Sequence, residues 1–393
     1  MRIDSVDLFY LRMPQVLDIG DGSQDMLLVR AEADGNVGWG ECEASPLTSI
    51  ASFVAPLSHS ACHPVAASVL GQRLDHADDI ARISAEVRAA SLDLLQTDHT
   101  LSGIEIALWD LLGRVREQPV WQLLGHRRSF PKTPYASSLF GDDPQETLEK
   151  AAAVRRAGYR AAKFGWGPYG TTSVQGDADQ VHAAREGLGE DGVLLVDAGT
   201  VFGEDVDAAA LRLPALEQAD VGWLEEPFTS GALRSYRSLA ARSATVRLAA
   251  GEGAHNPSLA EHLIDHGGIG FVQIDTGRIG GIGPAARVAR HARAAGVAFV
   301  NHTFTSHLAL SAALQPYAGA QADRLCEYPV EAKPLARDAT TTRIEVDADG
   351  TVAAPDAPGL GLEPDLEALR GYLVDVEITV GGNTLYRTPE LRP

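Results

Sequence analysis

Eight short apolar segments, each followed by alanine-rich helical text, recur between about residues 134 and 330 and constrain this chain more than any other feature. They start near Pro134, Ala161, Val193, Gly222, Arg247, Phe271, Ala298 and Asp323, at intervals of 27, 32, 29, 25, 24, 27 and 25 residues. Such a repeat predicts β/α units, and a closed eight-stranded barrel is the architecture that uses eight of them. An open doubly wound sheet is the rival. The first helix of the series is locally marked, since Asp143 can cap it, Pro144 suits its first turn and Glu146 sits three residues after the cap.

The flanks lack the repeat. Met26 to Glu32 runs into the turn signal Asp34-Gly35, and Val37-Gly38-Trp39-Gly40-Glu41 follows, which predicts a hairpin. Ile104, Leu108, Leu111 and Leu112 then stand at helical spacing. Near the C-terminus, Ile344-Glu345-Val346, the stretch Pro358 to Leu362 and the alternating run Tyr372 to Val380 read as strand material returning to the N-terminal block. The expected organisation is an α+β capping domain over residues 1–130, an α/β barrel over 131–335 and a segment over 336–393 that completes the cap. A cap of this kind shields one mouth of the barrel.

Composition narrows the partners. With 33 basic and 53 acidic side chains the formal charge is −20, which repels phosphate backbones and anionic lipid and argues against nucleic-acid or membrane-surface roles. A small anion drawn in by a local metal stays compatible. No apolar run approaches the ~20 residues of a membrane helix. Cys42, Cys62 and Cys326 form no CxxC pair and suggest neither a disulfide framework nor a thiolate zinc site. With an acidic rather than basic start, the expected location is cytoplasmic.

Charged residues end the repeated segments in phase. Val193-Leu194-Leu195-Val196 ends in Asp197, Gly222-Trp223-Leu224 in Glu225, and Leu248-Ala249-Ala250-Gly251 in Glu252. The separations of 28 and 27 residues are one β/α unit each, so three successive strands bring a carboxylate to the same barrel mouth. Three bare anions there repel one another. A divalent cation removes that repulsion, and all-oxygen ligation selects a hard ion, Mg²⁺ before Mn²⁺ or Ca²⁺.

The next two segments continue the phase, ending in Asp275 and, 27 residues on, in His302. A carboxylate on one ring nitrogen fixes the tautomer and raises the basicity of the other, so the pair reads as a general base with its orienter. His307 is a secondary candidate in the following loop or helix start. Across the barrel, Lys163 and Gly165 share the inward face of Ala161 to Gly165, where a lysine would hold a substrate carboxylate or charge developing on it. Glu327 ends the last segment and has two readings, a protonated donor to an enolate oxygen or an arginine's partner. Together these groups specify proton abstraction beside a metal-held carboxylate through an enediolate, with His302 as the remover. The enediolate is then reprotonated or expels a β-hydroxyl.

At these residues, and over essentially the whole chain, the sequence resembles the enolase superfamily in its mandelate racemase subgroup. The resemblance is carried by Val196-Asp197, Trp223-Leu224-Glu225-Glu226-Pro227, Ala250-Gly251-Glu252, Ile274-Asp275 through Arg278-Ile279-Gly280-Gly281, and Asn301-His302. Gly38 to Glu41, Ile106 to Gly113 and Pro119 to Gly125 look like that family's capping domain, and Pro358 to Leu362 like its C-terminal return. It implies a (β/α)7β TIM-like barrel under an α+β cap. It also implies Asp197, Glu225 and Glu252 as ligands of one Mg²⁺, His302 with Asp275 as the base dyad, Glu327 as an enolate-stabilising acid, and a homo-oligomer.

Two departures matter. The family's Lys-x-Lys motif falls on Lys163-Phe164-Gly165, so the second lysine, the usual base on the opposite face, is a glycine. Gly199 stands where an asparagine is common. A two-base racemase needs a donor on each face. The expected reaction is therefore one-base dehydration of a sugar acid, an aldonate or aldarate, to a 2-keto-3-deoxy acid, with Lys163 on the substrate carboxylate. The alternatives are a racemase, epimerase or cycloisomerase using another donor such as Tyr169, and a non-catalytic metal-binding barrel. The family places specificity on a loop that here spans Pro14 to Gln24 and on a second around Pro46 to Pro64, so Asp18, Asp21 and His59 are candidate substrate-binding residues. Acids in the first loop favour a polyhydroxy monoacid, and Arg12 or Arg30 is the candidate partner of a second carboxylate.

Overall fold

The computed structural model describes residues 1–18, 24–42, 46–95 and 97–392. Among these residues the strands form three sheets. An antiparallel sheet of β1 (Ser5–Arg12), β2 (Asp25–Ala33) and β3 (Asn36–Cys42) contains the expected hairpin. Eight parallel strands follow: β4 (Thr133–Leu139), β5 (Ala161–Gly165), β6 (Val193–Asp197), β7 (Val221–Glu225), β8 (Arg247–Ala250), β9 (Phe271–Ile274), β10 (Ala298–Asn301) and β11 (Leu325–Pro329). Neighbours pair in chain order from β4 to β10, and β11 returns to pair with β4. That order is a barrel, not a doubly wound sheet.

The seam between β10 and β11 is closed by a side chain. Asn301 Nδ2 donates to the Glu327 carbonyl at 3.2 Å, and the Glu327 amide donates back to Asn301 Oδ1 at 3.0 Å. The Asn301 amide thus does what a backbone ladder does elsewhere.

Side-chain alternation sets the interior in layers. Tyr135, Ala161, Leu195, Trp223, Ala249, Phe271 and Val300 form one buried inner cluster, with Tyr135 edge-on to Trp223 at 5.4 Å and Trp223 against Phe271 at 4.8 Å. This is the floor. Two residues further along each strand, the same period reaches Ser137, Lys163, Asp197, Glu225, Gly251, Gln273, His302 and, beyond Leu325, Glu327. The chemistry therefore stands directly above an aromatic floor.

The cap is held on by buried polar contacts. The helix Thr97–Val115 packs on β2 and β3, and Gly38 and Gly40 permit the close approach, since a Cβ at either would run into the backbone of Leu111 or Gly103. Buried Asp110 accepts from the Trp39 amide at 2.8 Å and from the Leu360 amide of the C-terminal segment at 2.7 Å. Glu105, on the same helix, accepts from the Ile282 and Gly283 amides at 2.7 and 2.9 Å and so caps the barrel helix Ile282–Ala295 from the other domain. In the C-terminal segment Tyr372 closes a 3-10 turn, Leu373 makes a single antiparallel bridge to Leu11 of β1, and ladder pairing joins β12 (Glu377–Val380) to β13 (Asn383–Arg387). The alternation from Tyr372 onward was thus only partly strand, because residues 370–372 complete a helical turn instead.

Glu105→Ala is expected to destabilise the protein by roughly 2–4 kcal/mol, because two buried amides lose their acceptor. Denaturant unfolding reads this directly. Burial raises the Glu105 carboxyl from 4.5 to about 7 despite the two amides and Trp109. The folded state therefore holds a proton that the unfolded chain releases earlier, and this contribution is full below 4.5 and lost as pH rises through about 7. Glu105→Gln, which does not titrate, is expected to lose that pH slope relative to the parent.

Candidate active site

Lys163 is buried at the centre of the polar layer. Its ammonium lies 2.5 Å from Glu225 Oε1, 2.9 Å from Glu327 Oε1 and 3.4 Å from Asp197 Oδ2. Burial opposes the lysine charge, but Glu225, Glu327 and Asp197 outweigh it and hold its pKa well above the ordinary range. Glu225, fully buried, is pushed upward by desolvation, which Lys163 offsets only in part against Asp197, Glu327 and Glu252. Its other oxygen accepts from Trp223 Nε1 at 3.0 Å, so the floor fixes the carboxylate's orientation. Glu327 pairs with Lys163 and not with an arginine, and it accepts from the Thr303 amide at 2.7 Å.

A second cluster is built around His302. Nδ1 donates to Asp275 Oδ2 at 2.8 Å, and Nε2 faces Glu252 Oε2 at 3.1 Å. Asp275 is itself held by the Gly277 amide at 2.6 Å. Arg278 bridges the two acids, at 3.1 Å from Glu252 Oε1 and 3.9 Å from Asp275 Oδ2. Glu252 reaches this position because Gly251, with φ +136°, turns the end of β8; a Cβ there would stand 2.6 Å from the Gln273 carbonyl.

Asp197, Glu225 and Glu252 suit Mg²⁺ by donor chemistry, being oxygen ligands on adjacent strand ends whose charges exceed what Lys163 balances. Among the described residues no three side chains converge as a ligand set, because Lys163 stands against Glu225 and Asp197 while Glu252 turns to Arg278 and His302. Cationic side chains occupy the carboxylates that a metal would share. Glu226 points elsewhere, at 3.4 and 3.3 Å from the Gly251 and Gly253 amides, and desolvation followed by Glu252 raises its carboxyl to about 8.

Two family models cover most of the chain. Residues 146–369 match the "Enolase C-terminal domain-like" family and residues 9–125 match "Mandelate racemase / muconate lactonizing enzyme, N-terminal domain". The chain belongs to the enolase superfamily, in its mandelate racemase subgroup. A "predicted Mandelate racemase" from Rhodobacter sphaeroides is 63% identical in its crystal structure, with a TM-score of 0.95 over 99% of this chain and 100% of that one. D-galactarolactone cycloisomerase from Agrobacterium fabrum is 29% identical, covering 88% of this chain and 90% of its own. D-galactonate dehydratase from Klebsiella pneumoniae is 28% identical, covering 73% and 74%.

Other candidates fall away from the enolase-superfamily centre. His307 opens the helix His307–Leu314 and its Nδ1 accepts from the Ile344 amide at 3.1 Å, a structural role. Tyr169 is buried against Phe140 with ring centroids 5.4 Å apart, and burial, followed by the charge of Asp177, pushes its hydroxyl pKa upward. Arg30 is buried on Asp7 at 2.6 Å and donates to the Arg392 carbonyl, which removes it as a partner for substrate. Asp18 is exposed, and exposed His59 pairs with Asp93 at 3.5 Å. Asp21 lies outside the described residues.

Sequence reasoning assigned no role to Arg278, Thr303 or Glu41. Buried Glu41, on β3 of the cap, accepts from the Ser306 hydroxyl four residues beyond His302. Its quoted place in the family-like stretch Gly38 to Glu41 was the available signal.

Proposed function

We propose that this chain dehydrates a sugar acid, an aldonate or aldarate, to a 2-keto-3-deoxy acid with Mg²⁺ as cofactor and His302 as its single base. The observation that carries the reading is the asymmetry of the site: a buried, carboxylate-oriented imidazole on one side and Gly165 on the other. A Cβ at Gly165 would stand 2.7 Å from Asp197 Cβ, so the position that carries the second lysine elsewhere in the family is closed by a ligand's side chain.

Asp197, Glu225 and Glu252 would hold the metal, which when bound supplies positive charge beside the substrate carboxylate. Lys163 adds a second charge on the same group. His302 Nε2 takes the α-proton while Asp275 stabilises the resulting imidazolium, as its hydrogen bond to Nδ1 dictates. The electron pair left at Cα becomes the enediolate, within reach of Lys163 and Glu327. Collapse of that enediolate expels the 3-hydroxyl, His302 returns its proton to it as water leaves, and the enol product tautomerises to the 2-keto acid.

Cycloisomerisation is the second reading, favoured by the cycloisomerase relative. It shares the proton abstraction and differs in whether a lactone oxygen leaves. The further expectations are a cytoplasmic homo-oligomer, read by light scattering and by fractionation, and a small-molecule carboxylate as the only partner. Among the described residues no helix is long and apolar enough to cross a membrane.

The test is an Mg²⁺-dependent screen of aldonic acids, aldaric acids and their lactones with detection of 2-keto acid. Keto acid from an open-chain acid is the expected result. Turnover of lactones alone favours the cycloisomerase, and α-deuterium exchange without elimination sinks both.

A further inference from the structure

Across the cavity from His302 the wall of the site is made by Ser137, Ser138, Leu139, Gly165 and Trp166. Trp166 follows the last residue of β5 and holds φ +54°, a left-handed conformation that bulky residues rarely adopt. Its side chain is not buried for packing. Trp166 is 37% exposed, whereas Trp39, Trp109, Trp121 and Trp223 are 5% exposed or less. The indole lies over Gly199, whose φ is +53°; a Cβ on that residue would stand 2.9 Å from Trp166 Cε2 and 3.0 Å from Cδ2. The glycine in the place of the family's asparagine is thus the space into which the tryptophan folds.

The cavity that Trp166 shares with Lys163, Asp197, His302 and Phe304 measures about 10 Å³, room for one water. A carboxylic acid bound between Lys163 and His302 needs more and has to displace part of the wall. Asp197 is held by the Gly199 amide and His302 by Asp275, and Lys163 is also paired with Glu327, outside the proposed metal ligands. Trp166 and Phe304, which lie beyond the strand ends, are the apolar wall members left to move, and Trp166 is the more exposed.

We propose that Trp166 is a substrate-contacting specificity residue whose indole covers the face of the bound acid opposite His302. This rests on the acid-sugar reading above. An indole face prefers C–H groups over hydroxyls. It therefore selects polyhydroxy acids that turn a run of C–H bonds to one side near Cα and Cβ, and it keeps water from that side of the enediolate, so the proton at Cα is exchanged from the His302 side alone.

The test uses the full-length protein with Mg²⁺ and a panel of four- to six-carbon aldonates and aldarates. Indole emission is followed in a His302→Asn background, which binds without turnover, with and without Trp166→Phe. Ligand-dependent emission change is expected in the first and largely lost in the second, and the small change that remains is that of Trp223, which donates to Glu225 in the floor beneath the site. In the His302 parent, Trp166→Ala is expected to lower kcat/KM about tenfold, chiefly through KM, and to reorder preference across the panel, with Trp166→Phe restoring most of it. Circular dichroism confirms that both variants fold. An emission change undiminished by Trp166→Phe, no emission change with any panel member, or an unaltered preference order in Trp166→Ala overturns the proposal. Dehydration with an unaltered order sinks the Trp166 contact alone; a Trp166-dependent emission change with no dehydration or lactone turnover sinks the reaction and leaves the contact.

Discussion

His302→Asn is expected to lower dehydration by roughly 10³-fold or more, and to remove α-proton exchange with it. The imidazole is 1% exposed, and its Nδ1 is fixed on Asp275 at 2.8 Å. Asparagine keeps an N–H for Asp275 at similar volume but has no basic nitrogen for the other side. Loss of both readouts with an unchanged melting temperature assigns the effect to proton transfer. Loss of elimination with exchange intact would assign the first step to another group and remove His302 from the base role. Asp275→Asn is the milder companion, expected to cost roughly 10–100-fold, because the ring loses its orienter but keeps its nitrogen.

Why these residues were legible follows from the strand period. Asp197, Glu225 and His302 each lie two residues beyond a floor residue, Leu195, Trp223 and Val300, so counting along apolar segments placed them inward. Glu252 breaks that count, lying three beyond Ala249, and comes into the site only through the positive φ of Gly251. Spacing by repeat length found it where strict alternation would have missed it. Lys163 was placed on the inward face, but its tie to Glu327 across β4 was not readable, since Glu327 lies 164 positions after Lys163 in sequence and meets it only through barrel closure. Arg278 and Trp166 escaped for a related reason. Each sits past a strand end, where loop geometry and not periodicity decides direction, and a residue three after Asp275 carries no signature of the Glu252 it will meet.

Mg²⁺ is expected to raise the melting temperature of the parent and to leave Glu225→Gln almost unmoved. Asp197, Glu225 and Glu327 share the one ammonium of Lys163, and Glu225 is fully buried with its carboxyl pushed upward by desolvation. Such a site stores repulsion that a hard cation relieves. Because the unfolded chain has no preformed site, Mg²⁺ at about a hundred times its Kd stabilises the fold by about 2.7 kcal/mol. Replacing Glu225 by its neutral isostere removes one of the repelling charges, so without metal this variant is expected to be at least as stable as the parent. The order then reverses when Mg²⁺ is added. Activity follows the metal, with chelation abolishing turnover in the parent and Mg²⁺ restoring it, while Asp197→Asn, Glu225→Gln and Glu252→Gln stay inactive under both conditions. A crossing of the two stability curves is hard to obtain from a merely structural carboxylate, whose removal destabilises with or without metal. An Mg²⁺ increment of equal size in all three variants and the parent would place the cation elsewhere and overturn the ligand assignment.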